Sequence, residues 1–251
     1  MGDAVQTTRH GHLLEVVLTR AERRNAFDGA MIDGLTAAFA DVGDARCVVL
    51  RGDGPSFSAG ADLDWMRASA DLDHAENRAE GERLGRLFAA IDGCPAPVVA
   101  AVHGHAIGGG AGLVACADIA VAAPGTRFAF SEVRIGLVPA TISPFVLARI
   151  GETAARRYLL TAELFDADEA RRIGLVAGVA DDPLAEAQRL AAAIAANGPE
   201  AVRATKRLLR ERPAPAELAA LIADVRCSAE GQAGLRAFLA DEDPPWRSAP
   251  S

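Results

Sequence analysis

Two stretches of this chain place small residues directly before an expected helix. They are Ser58-Ala-Gly-Ala61, which leads to an apolar segment at Leu63, and Gly108-Gly-Gly110, which leads to Leu113-Val-Ala-Cys-Ala117. A helix start carries unpaired backbone N–H groups and the positive end of the helix dipole, and small side chains allow close approach. One N–H donor from each stretch would form an oxyanion hole. Either stretch alone is equally consistent with glycines that only permit a tight turn and close helix packing.

Glycine-rich loops also suggest a nucleotide site, and the spacing tests this directly. A dinucleotide fingerprint counted from Gly108 requires glycine at position 113, where the chain has Leu113. A phosphate-binding P-loop counted from Gly104 requires lysine directly after Gly109, where the chain has Gly110. Both nucleotide motifs are therefore excluded.

Metal binding and hydrolase chemistry find little support. His103 and His105 have the spacing of one strand face, but no third ligand follows at a recognisable distance, which favours structural histidines. A catalytic triad of Ser58, His105 and Asp118 lacks the Gly-x-Ser-x-Gly turn that exposes a nucleophilic serine. We therefore expect neither a metal site nor a serine hydrolase.

The elements that must position the two small-residue stretches are strands followed by helices. Apolar runs predict strands at His12–Thr19, Cys47–Leu50, Val98–Val102, Ile119–Ala122 and Arg127–Phe130. Helical spacing predicts helices from Asp28 to Phe39, over 71–92, from the triple glycine, from Ser143 as N-cap, and through most of the chain after Glu152. The fold class is therefore α/β in the first two-thirds and α in the last third.

Composition limits the function classes. The 251 residues are 50% hydrophobic and 24% charged, typical of a globular domain that can bury a core. The net charge of −8 argues against a nucleic-acid surface. No apolar run reaches the roughly 18 residues of a membrane span, and the start lacks an apolar signal segment. We expect a cytoplasmic protein whose four cysteines, scattered without Cys-x-x-Cys spacing, are reduced and largely in the core.

An ordered set of motifs resembles the crotonase superfamily, the enoyl-CoA hydratases and isomerases. The set is Arg23-Arg-Asn-Ala26, Phe57-Ser-Ala-Gly-Ala-Asp-Leu63, Gly104-His-Ala-Ile-Gly-Gly-Gly110, Ala117-Asp-Ile119, Phe130-Ser-Glu-Val-Arg-Ile-Gly-Leu-Val-Pro139 and Phe165-Asp-Ala-Asp-Glu-Ala-Arg-Arg-Ile-Gly-Leu-Val176. No single motif is specific, but together they cover nearly the whole chain.

This resemblance implies a crotonase-like ββα spiral core over residues 1–195 and a helical C-terminal region over 196–251 that mediates trimerisation. A homotrimer or a dimer of trimers is the expected assembly. The implied substrate is an acyl-CoA thioester, as in fatty-acid metabolism. No cofactor is implied, because coenzyme A is part of the substrate, and neither a metal, a nucleic acid nor a membrane is an expected partner.

The resemblance also assigns site residues by position. Ala61 and Gly109 match the two backbone donors to the thioester oxygen, and Glu132 matches a catalytic glutamate. A carboxylate there can move a proton near neutral pH if burial raises its pKa. The substrate-binding positions that match are Arg24, Ala26, Ala59, Asp62, Leu63, Ile107 and Gly108.

One departure from the family pattern bears on the reaction. Hydratases typically carry a second glutamate two residues after the triple glycine, where this chain has Gly112. Three hypotheses follow: an enoyl-CoA hydratase, an isomerase that needs one carboxylate, and a non-catalytic acyl-CoA-binding or RNA-associated relative, of which the RNA form is disfavoured by the charge. Segments Ala140–Phe145 and Ala154–Thr161 resemble a methylglutaconyl-CoA hydratase-like branch, which implies a branched substrate such as 3-methylglutaconyl-CoA.

Overall fold

A computed structural model describes residues 4–247 of the chain. The strands are β1 (Val5–His10), β2 (Leu13–Leu18), β3 (Cys47–Gly52), β4 (Val98–Val102), β5 (His105–Ile107), β6 (Ile119–Ala122), β7 (Arg127–Ala129), β8 (Phe165–Asp166) and β9 (Gly178–Val179). The helices are α1 (Gly29–Ala40), α2 (Leu63–Ser69), α3 (His74–Asp92), α4 (Gly109–Cys116), α5 (Ser143–Thr161), α6 (Ala167–Arg172), α7 (Pro183–Ala195), α8 (Pro199–Glu211), α9 (Pro215–Cys227) and α10 (Ala229–Ala240).

The larger sheet has the order β1-β2-β3-β4-β6-β9 and carries the core on both faces. All neighbours pair in parallel except β1 and β2, which are antiparallel. One face packs into the main core, and the other packs Val49 and Val99 against Ala187 and Ala191 of α7. Burial on both faces explains the continuous apolar runs of β3 and β4, because a parallel sheet covered by helices has no polar side.

The smaller sheet, with the order β5-β7-β8, sets the start of α4 beside the segment after β7. The chain leaves β4, and β5 pairs in parallel with β7 through Ala106 and Phe128. Ser58, in the segment that follows β3, forms an isolated parallel bridge with Ala106. The two small-residue stretches and the turn at Glu132–Ile135 therefore meet at one edge of this sheet.

Several elements differ from the sequence prediction. Strand β1 was not predicted because its side chains are mostly exposed and polar, and β5, β8 and β9 are too short to show a pattern. The helix over 71–92 begins at His74, after a capping box of Asp73 and Glu76. The N-cap at Ser143 was wrong: Ile142 is the N-cap, and Ser143 Oγ instead donates to the Ala140 carbonyl at 3.1 Å.

The C-terminal helices attach unequally to the core. Lys206 of α8 donates to the Asp118 carboxylate at 2.7 Å and to the Ala96 carbonyl at 3.2 Å, whereas α9 has no buried residue. Trp246 holds the segment after Pro244 in place, since its carbonyl accepts from Arg46 at 2.9 Å. Within residues 4–247, no helix is long and apolar enough to cross a membrane. The domain boundary after residue 195 remains a prediction.

Three of the four cysteines are buried, in agreement with the prediction that they lie largely in the core. Cys47, Cys94 and Cys116 are buried, Cys227 is exposed, and all are free thiols. Burial raises the pKa of Cys47 to about 12, so this thiol stays protonated and acts as a small apolar core residue.

Candidate active site

Ala61 is held in an extended bridge beside Phe27. The Phe27 N–H donates to the Gly60 carbonyl at 2.6 Å, and the Asp62 N–H donates to the Phe27 carbonyl at 2.8 Å. Because these bonds use the peptide groups on either side of Ala61, the N–H of Ala61 points away from Phe27. That N–H has no acceptor among residues 4–247, and the Ala61 residue is exposed.

Gly109 supplies a second free N–H next to the first stretch. As the first residue of α4, Gly109 has no intrahelical acceptor for its N–H, and no other acceptor lies in the described part of the chain. A Cβ built on Gly60 would lie 2.9 Å from the Ile107 carbonyl oxygen and 4.0 Å from the Gly108 nitrogen. The two stretches are thus in contact through Gly60 and Gly108, and each free N–H belongs to the residue that directly follows one of these glycines.

The Glu132 carboxyl faces the same junction. Its Oε1 lies 3.2 Å from the point that a Cβ on Gly108 would occupy, and Gly108 has a φ of 51°. Glycine at 108 therefore provides both the left-handed backbone and the space for the carboxyl group. Burial raises the pKa of Glu132 above the ordinary 4.5, against a smaller opposing effect of its own backbone N–H.

The second carboxyl oxygen of Glu132 is an unused acceptor. Oε2 is buried and has no hydrogen-bond partner within the described chain. A buried oxygen of this kind normally finds a partner, so an unpaired one suggests a group that a substrate or water completes. Glu132 thus combines burial, a raised pKa and free acceptor capacity at the point where the two N–H donors meet.

Position 112, one turn along α4, is closed by packing. A Cβ on Gly112 would lie 2.4 Å from Ile142 Cγ2 and 3.0 Å from Phe88 Cε1. The Phe88 ring is buried between Phe27 and Phe145, with ring centroids 6.5 and 6.3 Å away. The space that a second carboxylate would need is therefore filled by apolar side chains.

The predicted binding positions lie around the first stretch, but their side chains differ in exposure. Ala26 is buried, and the Ala59 N–H donates to the Arg24 carbonyl at 2.9 Å. Arg24 itself is exposed, has a φ of 52°, and has no ion-pair partner in residues 4–247. Leu63 is 66% exposed. The exposed cation and the exposed apolar side chain both remain available to a ligand.

Asp62 has a structural role that the sequence prediction did not include. Its carboxylate caps α2 by accepting from the Asp64 and Trp65 N–H groups, and it pairs with Arg20 at 3.1 Å. Burial opposes ionisation of Asp62, but these N–H groups and the guanidinium outweigh it and lower its pKa. The Asp62 N–H donates to Phe27 and its carbonyl accepts from Met66, so its polar groups are engaged and its part in substrate binding stays a prediction.

The serine hydrolase alternative is not assembled in the structure. Ser58 Oγ donates to the Asn25 carbonyl at 2.8 Å, the ring of His105 contacts Ser56 Oγ at 3.3 Å, and Asp118 pairs with Lys206. Each member of the supposed triad has a different partner, so no nucleophile is activated there.

A cavity of about 1380 Å³ lies elsewhere, between α4, α5 and α8. Its lining includes Asp118, Arg149 and Lys206 but not Ala61, Gly109 or Glu132. Three of its charged residues contact one another, since Lys206 pairs with Asp118 and Arg149 donates to the Asp118 carbonyl at 3.0 Å. The cavity contains neither the two free N–H groups nor Glu132, so the candidate site is the start of α4.

Sequence reasoning missed the residues that support the site. The Phe27 backbone forms the hydrogen bonds on either side of Ala61. Its ring packs against Gly109, because a Cβ on Gly109 would lie 2.7 Å from Phe27 Cε2. Asn25 is fully buried and donates to the Ser56 carbonyl at 2.8 Å. The sequence offered the run Asn25-Ala-Phe27 after a basic loop as a signal. That run does not reveal the supporting role, because its contacts join residues far apart in the sequence.

Comparison with known proteins places these features in a family. The family model for enoyl-CoA hydratase/isomerase matches residues 8–249. A provisionally named enoyl-CoA hydratase of Thermus thermophilus is 39% identical over 245 residues, covering 93% of this chain and 97% of that protein. A crystal structure of an enoyl-CoA hydratase from Shewanella pealeana has a TM-score of 0.92 at 38% identity, covering 97% of this chain and 96% of that one. The Pseudomonas aeruginosa AtuE structure has a TM-score of 0.92 at 35% identity, covering 98% and 100%.

Proposed function

Because the chain belongs to the enoyl-CoA hydratase/isomerase family, which confirms the resemblance seen in its motifs, we propose that it catalyses the reversible syn addition of water to a 2-enoyl-CoA thioester. The observation that carries this proposal is the meeting of two acceptor-free N–H groups, of Ala61 and Gly109, with the buried, unpaired carboxyl of Glu132.

The two N–H groups stabilise the charge that develops on the substrate. The thioester oxygen accepts a hydrogen bond from each, and when oxygen bonds to the β-carbon the electron pair moves onto that thioester oxygen as an enolate. A donor aimed at a developing oxyanion is typically worth about 2.7–4 kcal/mol in the transition state. The backbone bridge at Phe27 and the helix start at Gly109 hold both donors in place before substrate binds.

Glu132 performs both proton transfers. As a carboxylate it takes a proton from water while the hydroxide part adds to the β-carbon, and as the resulting acid it delivers that proton to the α-carbon. The enolate collapses to the thioester, one water is added, and Glu132 is again ionised. Because one carboxyl group serves both carbons, hydrogen and hydroxyl enter on the same face.

The remaining predicted positions would bind the CoA part. The exposed Arg24 guanidinium is suited to a phosphate, Leu63 offers apolar surface, and the backbones at Ala26, Ala59 and Asp62 line the loop. Ile107 and Gly108 border the thioester. The homotrimer or dimer of trimers is part of the same proposal: α9 has no buried residue, and Phe238 is 81% exposed.

The closed position at Gly112 favours isomerisation as the second candidate. An isomerase requires only one carboxylate, which removes a proton from C2 of a 3-enoyl-CoA and returns it to C4 through the same enolate. The proposal of a branched acyl group, such as 3-methylglutaconyl, is supported by the motif resemblance. The experiment that identifies the reaction type also tests this substrate.

A panel of CoA thioesters, separated by liquid chromatography and analysed by mass spectrometry, distinguishes these candidates, because a 3-enoyl substrate and its 2-enoyl product have equal mass. Purified protein is incubated with crotonyl-CoA, 3-methylglutaconyl-CoA and 3-hexenoyl-CoA. Gain of one water by a 2-enoyl substrate supports the hydratase, and a 2-enoyl product without water gain supports the isomerase. Tight binding without turnover of any substrate would contradict both and indicate a non-catalytic acyl-CoA-binding protein.

A further inference from the structure

We propose that the hydroxyl group of Ser131 positions the water molecule that adds to the substrate, in place of a second carboxylate. This inference rests on the proposed hydratase function and identifies a residue for that same site. Ser131 keeps its proton throughout and forms no covalent bond to the substrate.

A water nucleophile needs more than one hydrogen bond to be aimed at a carbon atom. Glu132 can accept one of its protons, which leaves the second proton and the rotation of the water unrestrained. Position 112 cannot supply the other contact, because Ile142 and Phe88 fill its space. The second group must come from another element.

Ser131 is adjacent to Glu132 and faces the same point. Its Oγ lies 3.7 Å from the position of a Cβ on Gly108, and Glu132 Oε1 lies 3.2 Å from that position. The two oxygens therefore flank one point at the junction of the N–H donors. A water between them could donate one hydrogen to each oxygen and direct its lone pair at the β-carbon.

The Ser131 hydroxyl is not engaged in holding the fold. Ser131 stands at the N-cap of the turn Glu132–Ile135 but makes no side-chain cap bond, and its Oγ has no partner in the part of the chain that the structure describes. Two other serine hydroxyls are used differently, since Ser58 Oγ donates to the Asn25 carbonyl and Ser143 Oγ, outside the site, donates to the Ala140 carbonyl. Ser131 thus offers free hydrogen-bonding capacity beside the catalytic carboxyl.

The test compares hydration with a reaction that uses the same enolate but no water. Hydrogen–deuterium exchange at C2 of butanoyl-CoA in D₂O needs Glu132 and the two N–H donors only. We expect Ser131→Ala to lower kcat for hydration about 10- to 100-fold, the scale of a misplaced reactant. The exchange rate and KM should stay within about twofold, and Ser131→Thr should restore most of the hydration rate.

Ser143→Ala is the matched control, because it removes a hydroxyl that already donates to a carbonyl. It should leave both reactions unchanged. Thermal unfolding of each variant verifies folding, and Ser131→Cys provides a second variant of similar size with a weak hydrogen-bonding group.

Two results would overturn the role of Ser131: hydration at the wild-type rate in Ser131→Ala, or an equal loss of hydration and exchange, which would indicate a structural role. Failure of the proposed function is visible separately, because wild-type protein would then hydrate no 2-enoyl-CoA, and a water-positioning residue would have no reaction to serve.

Discussion

The first residue of α4 and position 112 lie within one helical turn, yet their surroundings are opposite. The Gly109 N–H is free of acceptors and meets Ala61 and Glu132, whereas Gly112 is closed by Ile142 and Phe88. At Gly109, the open end of α4, the functional group is a backbone N–H, which any small residue supplies. At Gly112, the closed turn of α4, packing leaves no space for a functional side chain. The proposed mechanism therefore uses one oxyanion position and one carboxylate to move protons.

Replacing the carboxylate should have the largest effect. Glu132→Gln keeps the shape but cannot take a proton from water, so kcat for hydration should fall about 10²- to 10⁴-fold, as for removal of a general acid–base. Glu80→Gln is the control, because Glu80 Oε2 is also buried without a partner but lies on α3. A wild-type rate for Glu132→Gln would show that the chemistry lies elsewhere.

A methyl group at the open end should have the next largest effect. The added Cβ of Gly109→Ala meets the Phe27 ring at 2.7 Å, so the N–H donor must shift. We expect kcat/KM to fall about 10- to 100-fold, below the cost of losing a donor altogether. Phe27→Leu removes the ring edge and should recover part of this loss in the double variant, whereas Phe39→Leu, a buried phenylalanine of α1, should recover none. Equal behaviour of the two double variants would contradict contact with Phe27 as the cause.

A methyl group at the closed turn should affect stability and not chemistry. Gly112→Ala would place its Cβ 2.4 Å from Ile142 Cγ2, and overpacking of this kind costs about 1–3 kcal/mol. Gly85→Ala in α3 is the matched control, since nothing lies within 4 Å of its Cβ and alanine favours a helix. Denaturant unfolding should show a loss for the first and none for the second. Equal stability would mean that the turn at 112 is not closed.

The pH dependence is the smallest effect and tests the raised pKa of Glu132. Hydration needs the ionised form, so kcat/KM should rise with pH to a plateau, with a midpoint above 4.5. A raised folded-state pKa contributes stability that is complete below the unfolded pKa and is lost as pH rises through the folded pKa. Glu132→Gln should therefore gain stability relative to wild type as pH rises across that window. A midpoint at or below 4.5 would contradict the burial of this carboxyl.

The sequence predicted four of the six strands of the larger sheet, β2, β3, β4 and β6, because burial of a strand leaves a visible apolar run. It missed β1, whose side chains face solvent, for the same reason. It predicted Ser143 as the N-cap of α5 because serine before proline is a common cap, but α5 already begins at Ser143 and the Ala140 carbonyl accepts that hydroxyl.

The site was predictable only in part. Small residues before helices indicated the two N–H donors, and the motif resemblance indicated Glu132. The closing of position 112 depends on Ile142 and Phe88, which are 30 and 24 residues away along the chain, so no local pattern reveals it. The supporting role of Phe27 depends likewise on contacts with two separate loops.

The most direct test of the central claim is C2 hydrogen exchange of butanoyl-CoA in D₂O, followed by mass spectrometry. The reaction requires an enolate held by Ala61 and Gly109 and a base at Glu132, and nothing else from the protein. Deuterium should enter at C2 with the wild-type protein and not with Glu132→Gln. Bound butanoyl-CoA without exchange, or exchange that persists in Glu132→Gln, would contradict an enolate site at the start of α4.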